Sequence, residues 1–271
     1  TGGYSYTLQS EIIFPKKVSI DDPTYVYTNA ISSSLFGIRG VQALEPGADA
    51  LGTSSTSVPS IDPVNFQVFA IRDELESENA KFLLTSSNYN IPTLSSSLYQ
   101  SLYDDTRWNL AVVVRPEPYS LSHYLPSGAF GHDLPQRSHL SGSGYAIELH
   151  GVQADSGMVI DSFVTSGTIS APTVNAVLTG SKRVTVGAFK ENVTGTIIHT
   201  SDVKVGSTRF WLDRLNHDEV IAHALDVENY GREKAHFYAY PFDNSASYGE
   251  PLKIDTLALY WDFNQNTGSN A

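Results

Sequence analysis

The residues best suited to metal chemistry lie in one long stretch that has no regular pattern. The stretch Pro116–Gly144 carries three histidines, His123, His132 and His139, and the carboxylate of Asp133. Imidazole and carboxylate groups are common ligands of zinc and similar ions. Because the histidine spacings match no established zinc motif, the sequence favours a histidine-containing surface loop over a metal site.

Carboxylates that could hydrolyse a glycosidic bond are not found at the required spacing. A retaining glycosidase holds two of them about 5–5.5 Å apart, which on one strand calls for a pattern such as Glu-x-Asp-x-x-Glu. Glu74, Glu76 and Glu78 alternate, but they belong to a charged segment typical of a solvated turn. A serine nucleophile elbow and a phosphate-binding glycine loop are absent as well. The sequence therefore predicts no enzyme activity, and a carbohydrate-active enzyme is the least favoured function.

The charge of the chain argues against a partner with a phosphate backbone. The 271 residues have a formal net charge of −12, and the 17 Lys and Arg residues are scattered. Nucleic-acid binding needs clustered cations, because its affinity comes largely from displaced counterions. The sequence contains no apolar run of about 18 residues that could insert into a membrane. We therefore expect neither nucleic acid nor membrane among the partners.

Cysteine is absent, which excludes disulfide bonds, thiolate metal sites and a cysteine nucleophile. This composition suits a protein that assembles in a reducing cytoplasm. The chain starts at Thr1 without a methionine, so we interpret it as a piece of a longer polypeptide.

Alternating polar and apolar residues predict a chain built mainly of short strands. Trp108–Arg115 is nearly continuously apolar, as expected for a central strand buried on both faces. For Thr93–Leu102 the pattern leaves a short helix and a serine-rich loop both open. Further strands are predicted at Asn65–Ile71 with Phe66, Val68 and Ala70 on one face, at Lys81–Leu84, at Tyr145–Leu149 with a turn at His150-Gly151, at Met158–Val164, and at Ile254–Phe263 with Leu257, Leu259 and Trp261 on one face.

The segment Lys182–Gly231 predicts three strands followed by one short helix. The last of these strands is expected to be interrupted at Gly206. Asn216 and Glu219 have the spacing of a capping box at the start of the helix, and Gly231 is the residue expected to end it. The apolar stripe of the helix comprises Val220, His223, Ala224 and Val227, with His223 as a buried packing histidine.

This order of elements resembles the closing part of a laminin G-like domain, a concanavalin A-like β-sandwich. The aromatic pair Phe210-Trp211 and the helix with Leu215 and Glu219 match that family. Other segments are similar to the versions of the domain found in large virion structural proteins of bacteriophages: Ser201-Asp202-Val203, Trp211-Leu212 and Leu257–Phe263. The resemblance covers residues 105–265.

The resemblance implies an all-β fold, an antiparallel jelly-roll β-sandwich with one short helix near residues 216–229. We expect a single domain over residues 1–271, in which residues 1–104 supply N-terminal strands of the same sandwich. A separate small β domain in that part remains the alternative. Residues 43–63 are predicted to be an exposed loop, and residues 264–271 a linker to a following segment.

The resemblance also implies a role. We expect a non-catalytic structural or adhesion domain on the surface of a virion, which contacts neighbouring subunits of a homo-oligomer or the host through loops at the rim of the sandwich. The alternative is a lectin-like module that binds a host-surface glycan. Exposed side chains of the long loop are the candidate ligand contacts, namely Tyr119, Tyr124, Phe130 and His132.

Calcium is the one ion that the resemblance suggests, because related domains bind it at the rim of the sandwich. Asp155, Asp161 and Asn192 are the candidate ligands, since calcium takes oxygen ligands. Their ordinary role as turn-forming residues is the favoured interpretation. No other cofactor is expected, and Trp108, Trp211 and Trp261 are predicted to lie in the core.

Overall fold

The computed structural model describes residues 5–16, 31–41, 65–75, 77–86, 91–116, 144–170, 173–174, 181–190, 197–226 and 254–263. A helix, α1, spans His217–Leu225, and a 3-10 turn spans Ile254–Thr256. The strands of these residues are, in chain order, β1 (Tyr6–Phe14), β2 (Ser32–Val41), β3 (Asn65–Arg72), β4 (Ala80–Thr85), β5 (Leu94–Ser95), β6 (Thr106–Pro116), β7 (Gly144–Asp155), β8 (Met158–Ser170), β9 (Ser181–Val186), β10 (Ala188–Lys190), β11 (Ile197–Thr200), β12 (Lys204–Trp211) and β13 (Leu257–Asp262).

The chain divides into two compact units, each drawn from separate parts of the sequence. The first unit comprises Thr1–Ile12, Arg107–Thr168 and Val205–Ala271. The second unit comprises Ile13–Thr106 and Ile169–Lys204. A six-stranded sheet of order β13-β12-β1-β6-β7-β8 belongs to the first unit, and a five-stranded sheet of order β5-β4-β3-β2-β9 to the second, together with the pair β10-β11.

Strand β6 lies inside the six-stranded sheet, between β1 and β7, as its apolar sequence predicts. Successive side chains of a strand point to opposite faces, and both sets are buried here. Trp108 is only 1% exposed, and the residues from Leu110 to Val114 are fully buried. The antiparallel register of β6 with β7 pairs Ala111 with His150 and Val113 with Glu148. These four residues therefore share one face of the sheet.

Helix α1 packs on that same face. The capping box forms as predicted: the Asn216 side chain accepts from the Glu219 N–H at 2.8 Å, and Glu219 Oε2 accepts from the Asn216 N–H at 2.6 Å. Val220 and Ala224 of the helix belong to a buried apolar cluster with Ala111, Val113, Val152, Ala154, Trp211 and Leu215. The helix ends at Leu225, earlier than the expected Gly231, because Asp226 is already extended.

The hairpin of β7 and β8 turns later than the sequence predicted. The predicted turn at His150-Gly151 is wrong, since β7 continues to Asp155 and the chain reverses at Ser156-Gly157. Both of these residues have positive φ, 50° and 77°, which is typical of a tight hairpin turn. Gly151 serves a different purpose, because a Cβ there would lie 2.2 Å from the ring of Phe163. Its lack of a side chain makes room for that ring.

The second unit follows its sequence pattern closely. In β3, Phe66, Val68 and Ala70 are all buried, as predicted. Its antiparallel partners are β2 and β4, and β2 pairs on its other side with β9. In the undecided segment Thr93–Leu102, the structure has the two-residue strand β5 at Leu94–Ser95, followed by turns.

The edge of the six-stranded sheet departs from prediction at β12 and β13. Strand β12 runs through Gly206 without the expected break. A bulge between Phe210 and Trp211 pairs Leu257 with Trp211, so Leu257 packs against the cluster under α1. Leu257 therefore does not share a face with Leu259 and Trp261. Trp261 is 39% exposed and not in the core, because it lies on an edge strand, whereas Trp108 and Trp211 are buried as predicted.

The fold class is confirmed: the protein is mainly β, with two antiparallel sheets and a short helix beginning after Asn216. Among the described residues no helix has the length and apolar character needed to span a bilayer. The predicted loop at residues 43–63 and the predicted linker at residues 264–271 lie outside the described residues. The prediction of a single domain stays a prediction.

Candidate functional site

The helix-bearing face of the six-stranded sheet carries polar side chains near both ends of α1. Near the last turn of the helix, these side chains line a cleft with a volume of about 180 Å³, which includes the solvent space at its open mouth. We call it the Arg209 cleft. Its inner space is about that of one water molecule, so a single chemical group can enter it but a whole sugar ring cannot. The cleft is lined by Gln9, Glu11, Asn109, Ser207, Arg209 and His223.

Arg209 is the unusual residue of the cleft. It is only 3% exposed, yet its Nε and Nη2 atoms are buried without a hydrogen-bond partner. The guanidinium carbon lies 4.8 Å from the ring centre of Tyr260, its neighbour on β13. Arginine is almost never buried unless it is paired. An unpaired buried cation costs on the order of several kcal/mol, so an anionic or acceptor group placed beside this side chain would be stabilised.

The other polar groups of the cleft are held in fixed orientations. Gln9 Nε2 donates to Asn109 Oδ1 at 2.9 Å, and Gln9 Oε1 accepts from Nδ1 of His223 at 3.0 Å. The His223 ring stacks on Trp211 with centroids 5.4 Å apart and an interplanar angle of 14°. This confirms His223 as a buried packing histidine, which also orients Gln9. Preorganised donors and acceptors of this kind add specificity to the binding of a polar ligand.

The acidic residue of the cleft is already neutralised. Glu11 forms an ion pair with Arg107. A Cβ on Gly206 would lie 2.9 Å from the Glu11 carboxyl carbon, so the glycine at this position lets the carboxylate lie against β12. Glu11 is the one carboxylate among the lining residues, so the cleft supplies neither the second acid that glycosidases require nor a net negative charge.

A second polar cluster lies at the other end of α1, around His150 and His217. Arg115 donates through Nε and Nη2 to Glu148 Oε1 at 3.0 and 2.5 Å. Nε2 of His150 lies 3.1 Å from Glu148 Oε2, and its Nδ1 lies 3.3 Å from Nδ1 of His217. Burial raises the pKa of Glu148, but the hydrogen bonds and charges of His150 and Arg115 outweigh it and lower this pKa to about 2. Burial, followed by the nearby His150, lowers the pKa of His217.

The second unit has its own buried polar cluster, built around Asp202. Arg72 Nη2 donates to Asp202 Oδ2 at 2.6 Å, while Asp202 Oδ1 accepts from Ser33 Oγ at 2.5 Å and from the Tyr103 hydroxyl at 3.2 Å. The Arg72 guanidinium lies over the Tyr103 ring at 3.9 Å. Burial raises the pKa of the Tyr103 hydroxyl, so it stays a neutral donor. Each residue of this cluster has at least one partner within the protein, which is typical of a structural network.

The sequence-predicted ligand contacts are not among the residues described. Tyr119, Tyr124, Phe130 and His132 lie outside them, as do His123, Asp133 and His139 of the histidine-rich stretch and Asn192 of the calcium set. Asp155 and Asp161 are both exposed. Each accepts a local hydrogen bond, Asp155 from Ser156 Oγ and Asp161 from the Ser162 N–H. Within the described part of the chain no three metal-ligating side chains come together, and the calcium set stays a prediction.

Sequence reasoning missed the residues of the Arg209 cleft. Gln9 and Asn109 are ordinary polar residues of strands, and nothing in their spacing indicates that they meet. Arg209 did carry a signal, since it is a charged residue directly before the buried pair Phe210-Trp211. Charged residues are rare in such strands, and a buried one needs an explanation.

Comparisons with known proteins give no family. No protein-family model matches the chain, and no curated protein matches it. Among solved structures, an enzymatically active domain of tailspike protein 2 from bacteriophage CBA120 aligns at a TM-score of 0.41 with 11% identity, over 84% of this chain and 25% of that one. A heptameric SAP-like pentraxin from Limulus polyphemus aligns at 0.36 with 8% identity, over 82% of this chain and 71% of that one. This chain therefore spans about a quarter of the tailspike chain, and the laminin G resemblance stays a prediction.

Proposed function

We propose that this chain is a non-catalytic adhesion domain of a virion protein, which binds a carboxylate-bearing glycan of the host surface at the Arg209 cleft. The observation that carries the proposal is the buried guanidinium of Arg209, in which two nitrogen atoms, Nε and Nη2, have no hydrogen-bond partner. The fork of guanidinium donors matches a carboxylate in geometry and charge. A uronic acid presents such a carboxylate on an otherwise polar, uncharged ring.

The size and surroundings of the cleft support an acidic sugar over a neutral one. The inner space holds one water-sized group, so one carboxylate oxygen would enter while the ring stays at the mouth. Gln9 and Asn109 are polar residues of the same lining and would serve ring hydroxyls there. A site with a single buried contact of this kind predicts a dissociation constant of about 0.1–1 mM for one sugar residue. Stronger attachment would then come from several copies on one particle.

The net charge of −12 makes the proposal specific. A protein of this charge repels polyanions at long range, so binding to an acidic polymer requires a local site. The virion setting, with neighbouring subunits and a homo-oligomeric parent assembly at the particle surface, rests on the sequence resemblance to phage structural proteins.

The test compares an acidic polysaccharide with its own neutral form. The purified chain is titrated with polygalacturonate and with the same polymer after reduction of its carboxyl groups. We expect binding to the acidic form alone, with and without a calcium chelator. Arg209→Met is expected to abolish that binding, while Lys204→Met, which removes the same charge from an exposed position, is expected to leave it unchanged.

Other results would overturn the proposal. Equal binding of both polymers would point to a neutral-sugar lectin. Loss of binding in the presence of the chelator would mean that a calcium ion holds the polysaccharide. An absence of binding to either polymer would leave a purely structural virion role, which light scattering after size exclusion would examine through self-association of the chain.

A further inference from the structure

The pair His150 and His217 has a geometry that the proposed function does not use. Their Nδ1 atoms lie 3.3 Å apart, and their rings are tilted by 47° with centroids 5.4 Å apart. His150 belongs to strand β7 and His217 is the first residue of helix α1. We propose that these two imidazoles form a chelating site for a divalent transition metal ion such as zinc.

The distance between the two nitrogen atoms is the first argument. Zinc binds histidine nitrogen at about 2.0–2.1 Å with tetrahedral geometry, which places two nitrogen ligands about 3.3–3.4 Å from each other. The observed separation of 3.3 Å falls in this range. Both residues lie on regular elements, so the separation is fixed by the packing of α1 on the sheet.

The groups behind His150 are the second argument. A metal-bound histidine commonly gives its other ring N–H to a carboxylate, which fixes the tautomer and increases the basicity of the ligating nitrogen. Glu148 Oε2 lies 3.1 Å from Nε2 of His150 and retains the proton there, so the Nδ1 lone pair faces His217. Arg115 holds Glu148 in place through two hydrogen bonds. The chain Arg115–Glu148–His150 is therefore an outer shell already assembled for a metal ligand.

Access and charge are the third argument. His150 is 2% exposed, whereas His217 is half-buried, so an ion reaches the pair from the His217 side. Water molecules would complete the coordination on that side. The first turn of a helix disfavours a cation, but Asp218 and Glu219 in the first turn of α1 offset this effect. Two protein ligands predict moderate affinity, so we expect a dissociation constant in the micromolar range and a preference for zinc, nickel or copper over magnesium or calcium.

The experiment is a zinc titration of the chain, free of any affinity tag and previously treated with a chelator. We expect one zinc ion per chain by calorimetry, with the affinity reduced at least tenfold by His150→Ala and by His217→Ala. The matched control is His199→Ala, which removes an exposed histidine of the second unit and is expected to leave zinc binding unchanged. Cobalt substitution gives an independent readout, because the intensity and position of its visible bands change when the hydrated ion is bound by protein ligands.

His217→Ala is the decisive variant, because a half-buried residue at the start of a helix can be replaced without loss of the fold. Circular dichroism of each variant checks this. The proposal is overturned if zinc does not bind at millimolar concentration, or if one equivalent still binds with full affinity to the His217→Ala protein. In the latter case the ion lies elsewhere, for instance among His123, His132 and His139.

Discussion

Each unit of this protein contains a largely buried arginine beside a tyrosine ring, and the two arginines differ in their counter-charge. In the second unit, Arg72 lies 3.9 Å above Tyr103 and donates to Asp202 at 2.6 Å. In the first unit, Arg209 lies 4.8 Å from the ring centre of Tyr260, and no carboxylate of the described residues pairs with it. The arginine beside the tyrosine ring thus has a carboxylate counter-charge in the second unit, whereas Arg209 in the first unit has none among the described residues.

The difference separates a structural cluster from the cleft for which we propose a binding function. A buried charge is tolerated when hydrogen bonds and an opposite charge compensate for its lost hydration. Asp202 provides this compensation in the second unit, and its remaining acceptor capacity is used by Ser33 and Tyr103. Two other arginines of the first unit form ion pairs, Arg107 with Glu11 and Arg115 with Glu148. The missing partner of Arg209 is therefore a local feature of the cleft, which a ligand can supply.

The largest expected effect is the loss of the Asp202 carboxylate. Asp202→Ala leaves Arg72 buried without its counter-charge and removes the acceptor of Ser33 and Tyr103. Because both ionic side chains are largely buried, with exposures of 12% and 23%, we expect the free energy of unfolding to fall by about 3–5 kcal/mol. Urea denaturation measures it. The double variant Arg72→Met with Asp202→Ala should recover part of the loss, and a loss below about 1 kcal/mol for the single variant would show that the network is not structural.

An intermediate effect on stability is expected when low pH protonates Glu148, the partner of Arg115. The pKa of Glu148 is about 2 in the folded protein, whereas the ordinary pKa of a glutamate is 4.5. A lowered folded pKa stabilises the protein above pH 4.5, and this stabilisation is lost as the pH falls from 4.5 towards 2. At about 1.4 kcal/mol per pKa unit, the contribution is at most about 3.5 kcal/mol.

The measurement compares the wild type with Glu148→Gln by urea denaturation at a series of pH values. The wild type should be the more stable protein at pH 6, and the difference should shrink steadily below pH 4.5. A difference that does not depend on pH would mean that the carboxylate charge is not the stabilising feature.

The fold was more predictable than the site, and particular residues show why. The alternation of Phe66, Val68 and Ala70 and the spacing of Asn216 and Glu219 are local patterns, and both appear in the structure as predicted. Errors occurred where a distant residue decides the outcome. Gly151 looked like a turn residue but makes room for Phe163, and Trp261 looked like a core residue but lies on an edge strand.

The Arg209 cleft depends even more than the fold on contacts between residues that are far apart in the sequence. Gln9 meets Asn109 one hundred positions along the chain and His223 more than two hundred positions along it. Periodicity within a segment carries no information about such meetings. By contrast, the candidates proposed from sequence came mainly from one stretch, 116–144, since a long irregular segment is a local signal.

Replacement of Arg209 is expected to change the free energy of unfolding least, and the sign of this change decides between a structural and a binding role. Arg209→Met removes a buried cation that lacks hydrogen bonds and keeps a side chain of similar length over Tyr260. We therefore expect the free energy of unfolding to rise by about 1–2 kcal/mol, because apolar replacement of an uncompensated buried charge is commonly stabilising. The matched variant Arg72→Met should instead destabilise the protein, since it leaves Asp202 unpaired. Urea denaturation of the two variants under the same conditions gives both signs.

If Arg209→Met is stabilising and also abolishes binding of the acidic polysaccharide, the arginine is retained for its ligand at a cost in stability. If Arg209→Met destabilises the protein as strongly as Arg72→Met does, the two arginines are equivalent structural residues. The proposal that Arg209 binds an anion would then be wrong.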